Sequence, residues 1–434
     1  MKKTGSTRAA TPGAGSLVSQ AAQALGIALD FNYPADAVLS RYFREHRALG
    51  HRDRAFIAGT VYGALRRLRW LRRLAGNEAT PWQLLLAWLA RGEGWAMHQF
   101  KGIASVEENR WIEKVKAAML AEGTLAERAD LPDWLCERLL AVHGEADVLQ
   151  LAHSLNRPAP LDLRVNILKA GRDAVLARLR ADGLEAAPCP LSPHGIRLAD
   201  KPALQKHALF LDGSFEVQDE GSQILGFLVQ PARGELVIDF CAGAGGKTLH
   251  LGALMRSSGR LYALDVAEKR LARLRERMAR AGLSNVHPML IAHECDARLK
   301  RLAGKAGRVL VDAPCSGLGT LRRNPDLKWR QTPAAIAEMV VRQQAILAAA
   351  AKLVRPGGRL VYATCSLLGE ENDGVVDAFL AAHPEFTPSS AEDILSRQGI
   401  SPGTGERLRL SPSVHETDGF FAAVLAHTGT ASPS

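Results

Sequence analysis

The stretch Glu235-Leu236-Val237-Ile238-Asp239-Phe240-Cys241-Ala242-Gly243-Ala244-Gly245-Gly246-Lys247-Thr248 decides the fold class. An apolar run of strand length enters a glycine turn and then a helix-forming segment, which is the opening of a βα unit. Two familiar glycine loops are excluded by position. A P-loop needs glycine five residues before its Gly-Lys-Thr, and that position is Cys241. The dinucleotide fingerprint begun at Gly243 needs glycine at 248 and finds Thr. What remains is a bare-backbone turn at a helix N-terminus, suited to a closely packed ligand. Taken alone, a tight turn without a ligand explains it equally well.

The flanking sequence adds weight. Glu235–Phe240, Arg260–Leu264, Val309–Val311 and Arg359–Ala363 read as strands separated by amphipathic helices, the pattern of a parallel sheet. One such helix begins at Pro333, lines Ile336, Met339, Val340, Ile346 and Leu347 on one face, and ends at Arg355-Pro356-Gly357-Gly358. Asp239, Asp265, Asp296 and Asp312 fall in order at or after strand ends, along the edge where doubly wound sheets bind ligands. Each alone is as readily a helix cap. Asp265, 22 residues after Gly243, is placed for ribose hydroxyls. Without a pyrophosphate loop, a nucleoside cofactor such as S-adenosylmethionine fits better than NAD or ATP.

Two cysteines follow strand candidates directly: Cys315 in Asp312-Ala313-Pro314-Cys315-Ser316-Gly317, and Cys365 in Tyr362-Ala363-Thr364-Cys365-Ser366. A lone cysteine is usually a small buried hydrophobe. A pair at neighbouring strand ends, beside a methyl donor, suggests cytosine chemistry. Carbon 5 of cytosine takes a methyl group only after a thiolate adds to carbon 6 and makes carbon 5 enamine-like. The carbon 5 proton must then leave and the thiol be eliminated, so a second residue that assists elimination is useful.

These residues carry a resemblance. Val217-Gln218-Asp219-Glu220-Gly221-Ser222-Gln223, Cys241–Thr248, Asp312–Gly317 and Thr364-Cys365-Ser366 together resemble the RsmB/Nop/Sun family of RNA cytosine-5 methyltransferases. Arg322-Arg323-Asn324-Pro325-Asp326-Leu327-Lys328-Trp329 and Glu370-Glu371-Asn372 resemble its bacterial ribosomal RNA branch. The resemblance spans about residues 215–428 and implies an α/β class I methyltransferase, Rossmann-like, with a mostly parallel seven-stranded sheet. It implies Cys365 as the nucleophile and Cys315 as the cysteine that promotes product release. It implies S-adenosylmethionine held by Cys241, Ala242, Gly243, Ala244, Gly245, Gly246, Lys247, Asp265, Asp296 and Asp312, with Asp312 and Lys247 also near the target base. The family's usual loop is Cys-Ala-Ala-Pro-Gly-Gly-Lys, whereas Gly243-Ala244-Gly245 stands here for Ala-Pro-Gly. Losing the proline frees the backbone, so lower cofactor affinity is expected on a surviving loop fold.

Organisation upstream differs. Six of the seven tryptophans lie in the first 134 residues. Ile57, Val61, Leu65 and Leu68 repeat at helical spacing to a stop at Gly76. This Arg-rich segment resembles an all-helical NusB-like RNA-binding domain. The expected organisation is a disordered tail over 1–15, the helical domain over 16–150, a small α+β linker domain over 151–214, the methyltransferase domain over 215–428 and a disordered tail over 429–434. In the linker, Leu161–Asn166 and Ile196–Leu198 read as strands and the intervening sequence to about Asp182 as a helix.

The chain of 434 residues carries 55 Lys and Arg against 45 acids, a net of +10. The excess is focal. Residues 41–75 hold ten Arg against Glu45 and Asp53, and residues 297–330 nine Lys or Arg against Asp312 and Asp326. Phosphate binding through Arg66, Arg69, Arg73, Arg322, Arg323 and Lys328 is the expectation, a solvated helix face the alternative. Six scattered cysteines without a Cys-x-x-Cys pair argue against zinc and against a secreted disulfide framework. No uninterrupted apolar run reaches 18 residues, so no transmembrane helix is expected. A cytoplasmic monomer acting on RNA, with no metal and no membrane, is the resulting expectation; the family resemblance favours 16S ribosomal RNA over 23S ribosomal RNA and tRNA as the target. Two rivals are a DNA cytosine-5 methyltransferase with its nucleophile in Pro314-Cys315, and a non-catalytic RNA-binding or assembly factor.

Overall fold

A computed structural model describes residues 14–429 and divides the chain into two units. The tails expected over 1–15 and 429–434 fall almost wholly outside the described residues. One unit comprises residues up to Arg157 together with Leu321–Thr332; the other comprises Pro158–Thr320 and residues from Pro333 onward.

The first unit is helical. Ile57, Val61, Leu65 and Leu68 are fully buried, as their spacing predicts. The continuous helix expected to reach Gly76 is instead two, His51–Arg66 and Leu68–Ala75, broken at Arg67. Buried Asp130 accounts for the break. Its carboxylate accepts the Arg69 N–H at 2.9 Å and pairs with Arg67 at 3.0 Å, satisfying the open first turn of the second helix. Segment 321–332 is an integral part of this unit. Asp326 accepts the Ala35 N–H at 3.2 Å, where the Ala35–Glu45 helix has no capping side chain at Pro34, and the Trp329 indole donates to the Leu65 carbonyl at 3.1 Å.

The second unit holds two sheets. In the small one, β1 (Leu161–Val165), β2 (Ala186–Pro188), β3 (Gly195–Leu198) and β4 (Phe215–Val217) pair antiparallel in the order β2-β3-β1-β4, with the helix Arg172–Ala181 packed on them. Its fourth strand therefore lies beyond the boundary expected at residue 214.

The large sheet is mostly parallel and Rossmann-like. Its strands are β5 (Leu236–Asp239), β6 (Arg260–Asp265), β7 (Val286–Leu290), β8 (Ala306–Asp312), β9 (Val354–Thr364), β10 (Phe386–Ser389), β11 (Leu408–Leu410) and β12 (Phe420–His427). The order is β10-β12-β9-β8-β5-β6-β7, with β11 added to β12. Strands β5 to β9 are mutually parallel, and β12 runs antiparallel to β9. The chain reverses direction across the sheet between β5 and β8, the crevice where such sheets receive ligands. Val354 already pairs with Ala306 before the Pro356-Gly357-Gly358 turn, and Arg359 resumes the ladder against Arg308. That turn is a kink inside β9 rather than the end of the preceding helix. The helix Pro333–Ala351 is the one described helix long and apolar enough, by length and composition, to cross a membrane. In this fold it is a layer helix, with Ile336, Ile346 and Leu347 buried and Glu338 and Arg342 on the same helix.

Candidate active site

The glycine turn joins β5 to the helix Gly246–Leu254. Gly243 and Gly245 adopt positive φ angles of 56° and 87°, which L side chains resist. A Cβ on Gly245 would stand 2.2 Å from the Leu274 side chain, so this glycine is required by packing as well. The missing proline is offset by two arginines that nothing in the local sequence singles out for this task. Arg277 donates to the Ala244 carbonyl at 2.6 Å and pairs with Glu216. Arg164, a charged residue inside strand β1, donates to the Gly246 carbonyl at 2.6 Å and to Gln218. Burial lowers the pKa of Arg164 to about 9. The one available signal was a pair of charged residues, Asp162 and Arg164, inside a five-residue strand.

A cavity of about 820 Å³ opens beside this turn, within the size range of small-molecule sites. It is lined by Cys241, Ala242, Gly243, Ala244, Gly246, Lys247, Asp265, Val266, Ile291, His293 and Asp312, among others. Asp265 ends β6 and accepts the N–H groups of Gly243 at 2.8 Å and Ala267 at 2.7 Å. Each carboxylate oxygen keeps a lone pair for a ligand hydroxyl. Open space above Gly243, the apolar flanks Val266 and Ile291, and this carboxylate together fit a nucleoside. Asp296 does not line the cavity. Its carboxylate is taken by Arg298 at 2.5 Å and by the Ala292 N–H at 2.8 Å, which lowers its pKa and shapes the 291–294 turn that does line it. Asp239 is fully buried on the Thr248 hydroxyl at 2.7 Å, and burial raises its pKa to about 7. Burial likewise pushes the Cys241 thiol up, aided by Asp239.

Asp312 ends β8 and pairs with Lys247 at 2.7 Å. Burial opposes the charge on Lys247, yet Asp312 and the nearby Cys365 sulfur outweigh it and raise the pKa. The two cysteines follow β8 and β9, and their sulfurs lie 3.3 Å apart. Both are free thiols. The Cys365 N–H also points to the Cys315 sulfur at 3.3 Å. Interaction with Cys365, then burial, pushes the Cys315 thiol well up. Gln343, from the layer helix, donates to the Pro314 carbonyl at 2.9 Å and steadies the Cys315 loop; nothing in its sequence context marked it.

The residues expected to grip RNA are placed otherwise. Arg66 is largely buried and donates to the Arg322 carbonyl at 2.9 Å, and burial lowers its pKa to about 10. Arg69 bonds the Leu131 carbonyl at 2.7 Å and Asp133 at 2.8 Å; Arg73 bonds the Ala121 carbonyl at 2.7 Å. Arg322 is buried, Arg323 is half-buried, and Lys328 is 1% exposed. The Lys328 ammonium gives its three hydrogens to the Arg66 carbonyl (2.8 Å), the Asp130 carbonyl (2.7 Å) and Asn156 (3.0 Å). Lys328 and Arg66 therefore have their donors directed into the fold, and with Arg322 buried the three offer little to a phosphate. Among the described residues, one trio has ligand atoms close enough for a metal, Asp162, Cys189 and Glu220. Arg197 already neutralises both carboxylates, at 2.8 and 3.3 Å.

Residues 226–426 match the family model of the 16S rRNA methyltransferase RsmB/F, and residues 131–205 match the RsmF/B-like ferredoxin-like domain. The chain is 37% identical over 303 residues to a probable ribosomal RNA small subunit methyltransferase B of Synechocystis, covering 70% of this chain and 68% of that one. It is 30% identical over 440 residues to ribosomal RNA small subunit methyltransferase B of Pectobacterium atrosepticum, covering 94% and 98%. A crystal structure of a methyltransferase homolog protein from Pyrococcus horikoshii superposes with a TM-score of 0.60 at 28% identity, over 70% of this chain and 97% of that one. Identity of this order along most of both sequences, on a sheet whose switch point carries a nucleoside-sized cavity, establishes that the chain belongs to the RsmB/F family of ribosomal RNA methyltransferases, which draw on S-adenosylmethionine.

Proposed function

We propose that the protein methylates carbon 5 of a cytosine in 16S ribosomal RNA, with Cys365 as the nucleophile and Cys315 as the residue that promotes release. The observation that supports this reading best is the 3.3 Å separation of two free thiols at the ends of adjacent parallel strands, beside the Lys247–Asp312 pair. Bound S-adenosylmethionine supplies the methyl group. Residues Gly243, Lys247, Asp265 and Asp312 border the cavity that would hold it.

The thiolate of Cys365 adds to carbon 6 of the base, and the electron pair moved onto carbon 5 makes that carbon nucleophilic. After carbon 5 is methylated its proton leaves to a base, and the returning electron pair breaks the carbon 6–sulfur bond. Cys315, kept protonated next to that sulfur, is positioned to assist the departure. Lys247, held charged by Asp312, places a positive charge near the Cys365 sulfur. The enzyme works as a cytoplasmic monomer in this reading. Contact with RNA phosphates falls to exposed arginines such as Arg44, Arg47 and Arg52, because Arg66 and Lys328 are engaged in the fold and Arg322 is buried.

Cys365→Ala is expected to abolish methyl transfer. Cys315→Ala is expected to trap a covalent protein–RNA adduct, visible on a denaturing gel. The reverse pattern would make Cys315 the nucleophile, as the DNA-type mechanism requires. Bisulfite sequencing of total RNA from a deletion strain identifies the base; loss of a signal in 23S ribosomal RNA or tRNA in place of 16S would overturn the substrate assignment.

A further inference from the structure

The loops that carry Cys315 and Cys365 come from different strands, yet both converge on one carboxylate. Glu371 is fully buried. One oxygen accepts the Ser316 N–H at 2.8 Å and the Gln343 amide at 3.0 Å. The other accepts the Ser316 hydroxyl at 2.5 Å and the Ser366 hydroxyl. Ser316 follows Cys315 and Ser366 follows Cys365. The two hydroxyl oxygens lie 3.1 Å apart, and the Ser366 oxygen accepts the Leu368 N–H at 3.0 Å. Glu371 is itself held: the Tyr362 hydroxyl donates to its backbone carbonyl at 2.7 Å. Its neighbour Asn372 accepts the Thr364 hydroxyl at 2.5 Å and donates to the Ser366 carbonyl at 3.1 Å.

We propose that Glu371 is a positioning residue that locks the two cysteine loops to each other and thereby sets the distance between Cys315 and Cys365. A carboxylate suits the task because every group facing it is a donor, and charge-assisted hydrogen bonds are shorter and stronger than neutral ones. Four donors from three separate segments tie both cysteine loops to one carboxylate. Addition at carbon 6 by one sulfur and assistance by the other both need sub-ångström placement, so the two-cysteine reaction proposed above gives this clamp its purpose. Glu371 makes no hydrogen bond to either sulfur; it reaches the cysteine loops through the two serines and through Gln343, which also holds the Pro314 carbonyl.

The test reads the clamp with and without RNA. In full-length protein treated with diamide, the two thiols give up two electrons and two protons to the diamide and join as a disulfide, which peptide mapping identifies as Cys315–Cys365. Glu371→Ala is expected to slow this reaction at least ~5-fold and to lower kcat for methyl transfer by about 100-fold, the size expected for ångström-scale misplacement. The KM for S-adenosylmethionine should stay within about threefold, since uniform binding is untouched. Glu371→Gln, which keeps the shape and the acceptor facing the Ser316 N–H, should recover kcat to within ~10-fold of the parent. Should Glu371→Ala fail to fold, the double variant Ser316→Ala/Ser366→Ala removes the hydroxyl arms alone, and slower disulfide formation is expected there too. Cross-linking at the parent rate in these variants would overturn the clamp. So would slower cross-linking with unchanged kcat. If the parent itself failed to methylate cytosine, the functional reading would fall while the thiol measurement still judged the clamp.

Discussion

Lys247, partly buried, and Lys328, fully buried, are both lysines in motifs singled out by sequence, and the structure uses them in opposite ways. Lys247 faces the cavity and keeps a carboxylate partner, Asp312 at 2.7 Å, which maintains its charge. Lys328 faces the interior of the helical unit and donates to two backbone carbonyls and an amide oxygen. Burial lowers its pKa to about 8, although Asp130 pulls the other way. A lysine that serves a ligand is kept charged and accessible from one side; a lysine that serves the fold is consumed by it. The same contrast separates Arg277, which supports the glycine turn, from Arg66 and Arg69, which tie helices to loops.

The largest effect is expected at Lys328. Lys328→Ala leaves two backbone carbonyls and the Asn156 amide oxygen without this donor and is expected to destabilise the helical unit by about 1–3 kcal/mol for each acceptor left unsatisfied, read by chemical denaturation. Lys247→Ala should cost far less stability while removing methyl transfer. Equal effects on stability would dissolve the distinction. Next in size is Gly245→Ala, which imposes strain at φ 87° and a clash with Leu274. A decrease of about 1–3 kcal/mol in stability is expected, with weaker S-adenosylmethionine binding by calorimetry.

A pH experiment sharpens the difference. The folded pKa of Lys328 lies below its ordinary value of 10.5, so between about 8 and 10.5 the unfolded chain binds the extra proton. Its contribution to stability therefore rises as pH increases through that window and is flat above it. Subtracting the profile of Lys328→Met from that of the parent should leave such a rise; a difference profile falling with pH would contradict the burial argument. The smallest effect concerns salt. Neutralising exposed Arg44, Arg47 and Arg52 should lower the slope of log affinity against log salt by about 0.7–0.9 for each phosphate that is no longer neutralised. Neutralising Arg69 and Arg73 should leave the slope alone and reduce stability.

The candidate site was legible because strand ends, glycine turns and the order of acids and cysteines are local facts. Asp265, Asp312, Cys315 and Cys365 fall where alternating strands and helices put them, at the C-terminal edge of a parallel sheet. Asp296 has the same local signature and a different task, since Arg298, two residues away, captures it. Arg164, Arg277 and Gln343 were missed because each acts on a carbonyl from a different part of the chain. The strand at Phe215–Val217 joins the small sheet only through its pairing with β1, a partner some fifty residues earlier.

The chemistry on offer is written in the order of residues: a glycine turn that cannot be a P-loop, carboxylates at strand ends, and two thiols following neighbouring strands. The same order sets the excess of arginine in residues 41–75 and 297–330. Which of those charges remain available depends on the packing of distant segments. A charged group leaves water only where partners replace its hydration, and partners such as Asp130 for Arg67, or the Arg66 carbonyl for Lys328, are supplied by distant segments. Residues 321–332 show this most clearly, because their cationic sequence reads as a phosphate grip until the carbonyls that surround Lys328 are in view.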